Sequence, residues 1–428
     1  MNKTLGNIFK GDKVIWMVFF FLCIISLTEV YSASAGLTYK GGNYWVPILT
    51  HSSHFLMGLF AMVVTLNIQC KYFRIATPFL LLFSFLSLIL VLKFGESVNG
   101  SNRWLSIVGI RFQPSEIAKG TLILATAQIL SAMQTPMGAD KHAFRYVFLV
   151  CIFIIPFIFL ENLSTAMLLS AVIFMMMVIG RVPSRTLGRV LGVVALLVVL
   201  VVGAIMLLGT DQEEINTGMH KTEQIADKGK KENPSTIGSI FHRLDTWKGR
   251  INHFFNGKEV PPDEFDLDKD SQVGHSNIAI ASSNVIGKGP GNSVERDFLS
   301  QAFSDFIYAI IIEETGVIGG IFVAMLYIIL LFRTARIANR CENSFPAFLA
   351  MGLALLLATQ AMFNMCVAVG LAPVTGQPLP LISKGGTSTI INCVYIGVIL
   401  SVSRTAKKRP NFDVDNNSTQ KLAMTSAQ

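Results

Sequence analysis

The feature that most constrains this chain is a series of apolar runs, each about as long as the 20 residues that a helix needs to cross a bilayer. About ten such runs lie near 14–34, 46–68, 73–94, 115–133, 146–161, 164–180, 189–208, 305–332, 345–370 and 385–403. Hydrophobic residues make up 52% of the chain and charged residues only 14%, which is too little charge to cover a soluble surface. The sequence therefore predicts an all-α polytopic membrane protein and excludes a soluble enzyme, a disordered protein and a disulfide scaffold.

Basic residues predict the orientation of these helices, because lysine and arginine in short loops stay on the cytoplasmic side. One set of loops and both tails are rich in them, whereas the short loops on the other side contain only Lys40, Arg103, Arg111 and Lys384. Both termini are therefore expected in the cytoplasm, and the net charge of +8 reflects topology rather than nucleic-acid binding. The first run is too long for the core of a signal peptide, so we expect a retained helix.

One long polar segment, 209–304, separates the seventh apolar run from the eighth. It is predicted to be a large extracytoplasmic loop whose first part, 211–233, is polar and mobile. We expect residues 1–408 to form a single transmembrane domain and 409–428 to be a disordered cytoplasmic tail. The six cysteines lack the spacing of a zinc site.

Ionisable side chains inside membrane spans are costly, so each is a candidate functional residue. Glu313 and Glu314 fall within the eighth run, where they either contact polar groups of neighbouring helices or line a polar cavity. Glu116 and Lys119 are one helical turn apart in the fourth run, which allows a mutually neutralising ion pair.

Asp305 is the last acidic residue before the eighth run begins. A carboxylate at this boundary is partly desolvated yet reachable by a polar substrate, as a general base must be. Position alone equally allows an acid that caps the N-terminus of the helix.

Three further features surround this position in the sequence. The glycine-rich run 287–293 is either a turn or a weak phosphate cradle, and it lacks the spacing of a Walker loop. Arginines of the outer segments can bind a diphosphate through two hydrogen bonds each, and we expect Arg243, Arg250 and Arg296 to gather near the mouth of a site. Residues 373–380 contain three prolines but few polar groups, which predicts a re-entrant loop buried beside a site.

Three long motifs resemble one known family. Residues 99–104 (Asn-Gly-Ser-Asn-Arg-Trp) and 113–119 (Gln-Pro-Ser-Glu-Ile-Ala-Lys) are similar to the NGxxRW and QPSExxK signatures of the SEDS proteins (shape, elongation, division, sporulation), which include FtsW, RodA and SpoVE. Residues 304–309 with 313–316 resemble their TDFIFAxxxEELG segment, and 373–388 resembles PVTGxPLPFxSYGGSS. The loop and the last span favour the FtsW branch.

The resemblance implies a peptidoglycan glycosyltransferase that polymerises lipid II into β-1,4 glycan at the outer face of the bacterial inner membrane during cell division. It implies a class B penicillin-binding protein and other division-complex membrane proteins as partners, but no nucleic acid. A divalent cation such as Mg²⁺ is a candidate cofactor with no assigned ligands. The family's catalytic aspartate falls on Asp305.

The outer arginines and the motifs of the resemblance together give binding and supporting positions. Those that bind substrate are Arg103, Trp104, Gln113, Ser115, Glu116, Lys119, Arg243, Gln272, Asn292, Ser293, Arg296, Thr375 and Lys384. Those that support the site are Glu313, Glu314, Gly287, Gly289, Gly291, Pro378 and Pro380.

The sequence departs from the family pattern in a few places. Asn162 stands where the family commonly has aspartate, Lys384 replaces a tyrosine and Thr387 replaces a serine.

Three alternative functions stay open. They are a carrier that flips lipid II, a RodA-like polymerase of the elongation machinery and a non-catalytic scaffold.

Overall fold

A computed structural model of the protein describes residues 10–41, 45–98, 101–107, 110–136, 138–193, 196, 203, 271–299 and 302–406. Its principal helices are α1 (Lys13–Gly41), α2 (Trp45–Asn67), α3 (Cys70–Phe94), α4 (Pro114–Ala132), α5 (Ala143–Glu161), α6 (Leu163–Ile179), α7 (Ser271–Ser282), α8 (Ile307–Ala338), α9 (Ser344–Ala368) and α10 (Thr387–Thr405). The helical membrane fold expected from the sequence is confirmed. Arg243, Arg250, the segment 211–233 and the tail 409–428 lie outside the described residues.

The helices follow the apolar runs closely. Seven of them are long and apolar enough to cross a membrane, namely α1, α2, α3, α5, α8, α9 and α10, and α6 is a shorter apolar helix. Every expected span except 189–208 falls on one of the helices named above, and that span lies largely outside the described residues. The turn expected between the fifth and sixth spans is present, because the Asn162 side chain accepts hydrogen bonds from the backbone N–H groups of Ser164 (3.0 Å) and Thr165 (3.3 Å).

Helix α4, which contains Glu116 and Lys119, is not among these seven helices, and other helices surround it. It packs against α3, α5, α6 and α9, and Lys119 is only 1% exposed. Neighbouring helices rather than lipid therefore surround its charged groups, as the cost of ions in hydrocarbon requires.

A small antiparallel sheet joins α3 to α4 and was not predicted. Its strands β1 (Glu96–Val98), β2 (Ser101–Ile107) and β3 (Ile110–Phe112) pair in chain order. Two further short strands, β4 (Gln134–Thr135) and β5 (Gly138–Ala139), pair with each other after α4. The family motif that contains Arg103 and Trp104 lies on β2.

The proline-rich segment between α9 and α10 has no regular secondary structure and is partly buried up to Gly376 and mostly buried from Gln377 onward. Its carbonyl oxygens accept hydrogen bonds from four side chains on three helices, α1, α8 and α9. The donors are Ser26 (to Ile382 O, 2.6 Å), Tyr327 (to Pro380 O), Gln360 (to Pro378 O, 3.1 Å) and Asn364 (to Gln377 O, 2.7 Å). Irregular backbone at membrane depth needs such partners, so the re-entrant loop expected from the sequence is held at many points.

Helix α8 is broken at Gly316, which has a φ of 76° and a ψ of −179°. The glycine-rich run packs against the break: the N–H groups of Lys288 and Gly289 donate to the carbonyls of Glu313 (2.9 Å) and Glu314 (2.8 Å). A Cβ atom on Gly316 would lie 2.2 Å from Val285 O, so this close approach requires glycine. The first part of α8, 307–315, is therefore stabilised by hydrogen bonds from the glycine-rich run as well as by the hydrogen bonds within the helix.

Candidate active site

Asp305 lies just before α8 and is half-buried. The helix begins at Ile307 and its N-cap residue is Phe306, which makes no side-chain capping bond. The structure places Asp305 one residue before the N-cap position, in the turns formed by residues 302–306.

The carboxylate of Asp305 lies between its own segment and the proline-rich loop. Ser304 Oγ donates to Asp305 Oδ1 at 3.0 Å. A Cβ atom added to Gly376 would lie 3.3 Å from Asp305 Oδ2, so the loop passes directly beside the second carboxylate oxygen. The backbone of Asp305 is fixed from α9, because Asn364 Nδ2 donates to its carbonyl oxygen at 2.8 Å.

The loop continues alongside the segment that precedes Asp305. Ser383 Oγ donates to Ser304 O at 2.6 Å, and the N–H of Lys384 donates to Phe303 O at 2.9 Å. The Lys384 ammonium lies 5.0 Å from the centre of the Phe303 ring. Partial burial lowers the pKa of Lys384 below its ordinary value. Asp305 and the loop that contains Thr375 and Lys384 thus come from distant parts of the sequence to one region.

A line of polar side chains connects this region to α4. Lys119 Nζ lies 2.8 Å from Glu116 Oε1, as the spacing predicts, and it also donates to Gln360 Oε1 at 3.1 Å. Gln360 in turn donates to the loop at Pro378 O. The ion pair is therefore linked to the loop beside Asp305 through one amide side chain.

A second series of hydrogen bonds connects α6 to the loop. Gln377 Nε2 donates to Thr165 Oγ1 at 2.6 Å, and Asn364 bridges the carbonyls of Gln377 and Asp305. The sequence analysis missed Gln360 and Asn364. The available signal was two amide side chains four residues apart in an apolar run, where helical geometry places them on one face.

Glu313 and Glu314 are fully buried and bind the glycine-rich segment rather than Asp305. Glu313 accepts from Lys288 Nζ (2.6 Å), from Ser293 Oγ and from the N–H groups of Val294 (3.1 Å) and Glu295 (3.4 Å). Glu314 accepts from Ser32 Oγ and from the N–H of Gly291 (3.0 Å). The two carboxylates therefore organise the run 287–295, and its backbone N–H groups at Lys288, Gly289 and Gly291 are already occupied.

The remaining predicted positions lie around this core. Arg103 Nε donates to Glu161 O (3.3 Å), Gln113 Nε2 donates to Ser115 Oγ (3.1 Å), and Asn292 Nδ2 donates to Lys288 O (3.1 Å). Trp104 lies on β2 opposite Glu96, and Gln272 lies on α7. Arg296 donates to Gly291 O (2.8 Å) and Ser32 Oγ (3.1 Å), so it ties the loop to α1. The expected arginine cluster stays a prediction, since its other members lie outside the described residues.

Among the residues that the structure describes, no three His, Cys, Asp or Glu side chains are placed to hold a metal ion. The divalent cation considered from the sequence stays a prediction.

Comparison with known proteins identifies the family. The family described as "Cell cycle protein", which comprises FtsW, RodA and SpoVE, matches residues 12–229 and 234–408. The chain belongs to this family. The membership inferred from the motifs is thus confirmed.

Curated relatives match over nearly their whole length. The chain is 28% identical over 415 residues to a probable peptidoglycan glycosyltransferase FtsW of Geobacter metallireducens, covering 95% of this chain and 98% of the relative. It is 29% identical over 398 residues to a protein of the same name from Coxiella burnetii, covering 91% and 95%.

Solved structures share the fold. A structure described as "Structural coordination of polymerization and crosslinking by a peptidoglycan synthase complex" matches with a TM-score of 0.67 at 22% identity, covering 93% of this chain and 99% of that one. The crystal structure of Thermus thermophilus rod shape determining protein RodA matches with a TM-score of 0.61 at 20% identity, covering 94% and 100%.

Proposed function

We propose that this chain is a peptidoglycan glycosyltransferase of the FtsW type, which polymerises lipid II into β-1,4-linked glycan strands. Family membership and the names of the full-length relatives support this activity. The observation that carries the mechanism is the placement of Asp305, a half-buried carboxylate fixed between the start of α8 and the proline-rich loop.

In this mechanism Asp305 is the general base. It accepts the proton of the acceptor 4-hydroxyl while that oxygen attacks the anomeric carbon of the donor. The new C–O bond forms as the bond to the diphosphate breaks, so the lipid diphosphate leaves with the electron pair and the anomeric centre inverts. A carboxylate at the boundary of the bundle suits this step, because it combines partial desolvation with access for a polar sugar.

The hydrogen bonds around Asp305 position it for the reaction. Asn364 and Ser304 fix its backbone and one carboxylate oxygen, which limits the reorganisation needed when the substrate binds. The ion pair of Glu116 and Lys119 acts at a distance, through Gln360 and the loop.

The orientation and partner follow from the same proposal. The chain spans the bacterial inner membrane with both termini in the cytoplasm, which places Asp305 on the outer side, where lipid II is consumed. A class B penicillin-binding protein crosslinks the new strands, consistent with the likeness to a synthase complex that coordinates polymerisation and crosslinking. The FtsW names of the relatives favour the division septum and other division proteins as the setting.

Substitution of Asp305 by asparagine tests the proposal. The amide keeps the size of the side chain but cannot accept the proton, so polymer formation from lipid II should fall by about 10²–10⁴-fold while the protein stays folded. Asp297→Asn is the matched control, because Asp297 is an exposed acid of the same segment whose ion pair with Arg296 is long at 3.8 Å.

Each variant is purified with its cognate transpeptidase, and glycan is measured at matched thermal stability. Normal polymer from Asp305→Asn rules out Asp305 as the base. Transport of lipid II by a variant that makes no polymer would favour the carrier function, and normal growth of cells that express only this variant would favour the scaffold.

A further inference from the structure

The segment 384–389, Lys-Gly-Gly-Thr-Ser-Thr, forms the start of α10 beside the Asp305 segment. The helix begins at Thr387 and its N-cap is Gly386, with a φ of 53°. The N-cap residue has no side chain with which to cap this end, and the first turn contains no acidic residue. The N–H of Ser388 donates to Gly385 O at 3.1 Å. The first N–H groups of a helix lack partners within the helix, and its N-terminus has a partial positive charge, so such an end attracts anions.

Two hydroxyl groups of the same turn are buried without a hydrogen-bond partner. Thr389 is 1% exposed, and neither its Oγ1 nor that of Thr387 has a partner in the described part of the chain. The hydroxyl of Ser388, between them, donates to Gly385 O at 3.1 Å. A buried polar group without a partner is unfavourable, so these two hydroxyls indicate a polar ligand at this turn.

A cationic side chain lies next to the helix N-terminus and the two hydroxyls. Lys384 directly precedes the two glycines and is half-buried. Within the described ranges its ammonium makes no ion pair; it lies over the Phe303 ring and close enough to His51 to interact with it electrostatically. A partly desolvated ammonium without a counterion favours an anion close by.

The backbone that presents these groups is fixed before any ligand arrives. Ser26 Oγ donates to Ile382 O at 2.6 Å and contacts His51 Nε2 at 2.9 Å, and Lys384 N–H donates to Phe303 O. The latter bond places the segment against the residues that lead into Asp305. Groups held in advance bind an anion without the cost of ordering them.

We propose that the segment 384–389 binds the diphosphate of the undecaprenyl carrier through Lys384, the N-terminus of α10 and the hydroxyls of Thr387 and Thr389. The inference deepens the proposed function and rests on it, because the diphosphate is the leaving group of that reaction. Negative charge on the leaving oxygen is stabilised there while Asp305 removes the acceptor proton. The run 287–293 was considered from the sequence as a phosphate cradle, but its backbone N–H groups at Lys288, Gly289 and Gly291 donate hydrogen bonds to α8 instead.

Direct binding of undecaprenyl diphosphate to the purified full-length chain in detergent tests the site. Lys384→Met should weaken binding by about tenfold or more, since it removes a charge-assisted contact, and Thr389→Val by about fivefold. Lys384→Arg should retain most of the affinity. Thr405→Val is the matched control, because Thr405 lies at the other end of α10, where its hydroxyl contacts Val402 O and the Cys70 side chain.

Inorganic pyrophosphate serves as the second probe. We expect weaker binding than for the lipid, with the same order of the variants, because the diphosphate rather than the lipid chain makes these contacts. Equal affinity of wild type, Lys384→Met and Thr389→Val for undecaprenyl diphosphate overturns the proposal, as does a wild-type protein that does not bind it. If the wild type binds with this order of variants but forms no polymer with its partner, the glycosyltransferase function fails while the diphosphate site stands.

Discussion

The ion pair between Glu116 and Lys119 allows stability and activity to be separated by experiment. Lys119 is 1% exposed and contacts both Glu116 (2.8 Å) and Gln360 (3.1 Å). Removing one member of a buried ion pair leaves an uncompensated charge and costs about 3–5 kcal/mol. Glu116→Gln and Lys119→Met should therefore each strongly destabilise the fold.

The double variant has a different expected outcome. With both charges removed, neither member of the pair is left as an uncompensated buried charge, and replacing a buried pair is often close to neutral. The free energy of unfolding of the double variant should therefore be higher than that of either single variant. Activity should not recover, because without Lys119 the amide of Gln360 loses the group that orients it toward Pro378 O. Thermal unfolding in detergent and polymer formed from lipid II measure the two quantities.

Lys93→Met is the control for removal of a lysine, since Lys93 is exposed at the end of α3. A double variant less stable than both single variants refutes the pairing. A double variant that is both stable and fully active refutes the link from the pair to the loop.

Two further predictions concern the loop beside Asp305. Gly376→Ala should cost about 1–2 kcal/mol for its left-handed backbone, with a φ of 67°, and should lower polymer formation further by crowding Asp305. Gly188→Ala, where an added Cβ meets no atom within 4 Å, should preserve both stability and polymer, and normal polymer from Gly376→Ala would contradict the geometry. Because burial lowers the pKa of Lys384, binding of undecaprenyl diphosphate should be full below that pKa and weaken as the pH rises through it, earlier than for an ordinary lysine. A titration of affinity between about pH 8 and 11 should show this loss, and Lys384→Arg should move it to higher pH; a wild-type affinity independent of pH over this range would exclude the lysine.

Hydropathy alone predicts most of the fold, because a bilayer requires long apolar helices and few other structures satisfy the backbone there. The break at Gly316 could not be predicted in this way, since the apolar run resumes after Glu313 and Glu314 and hydropathy does not show that the backbone changes direction there. The sheet around Arg103 and Trp104 was missed for a related reason: it lies between two runs, where hydropathy contains no signal about strand pairing.

The site was less predictable than the fold. Asp305 and the proline-rich loop could be found because they belong to long motifs with an unusual composition for a membrane protein. Gln360 and Asn364 are single amides in an apolar helix, and their contacts depend on how α9 faces the loop. The roles of the two glycine-rich segments depend on three-dimensional docking, because both have the composition of a phosphate-binding turn, but one packs on α8.

The docking of the glycine-rich run on the broken helix has a consequence for the construction of chimaeras. Residues 287–295 and the first part of α8 share hydrogen bonds at Glu313 and Glu314 and a close backbone contact at Gly316. A hybrid with its crossover within residues 302–306 would join halves whose surfaces were never matched, although these residues form turns. Exchange of the whole block from α7 through Gly316 preserves the matched surfaces, and it transfers Asp305 together with the segment that holds its helix.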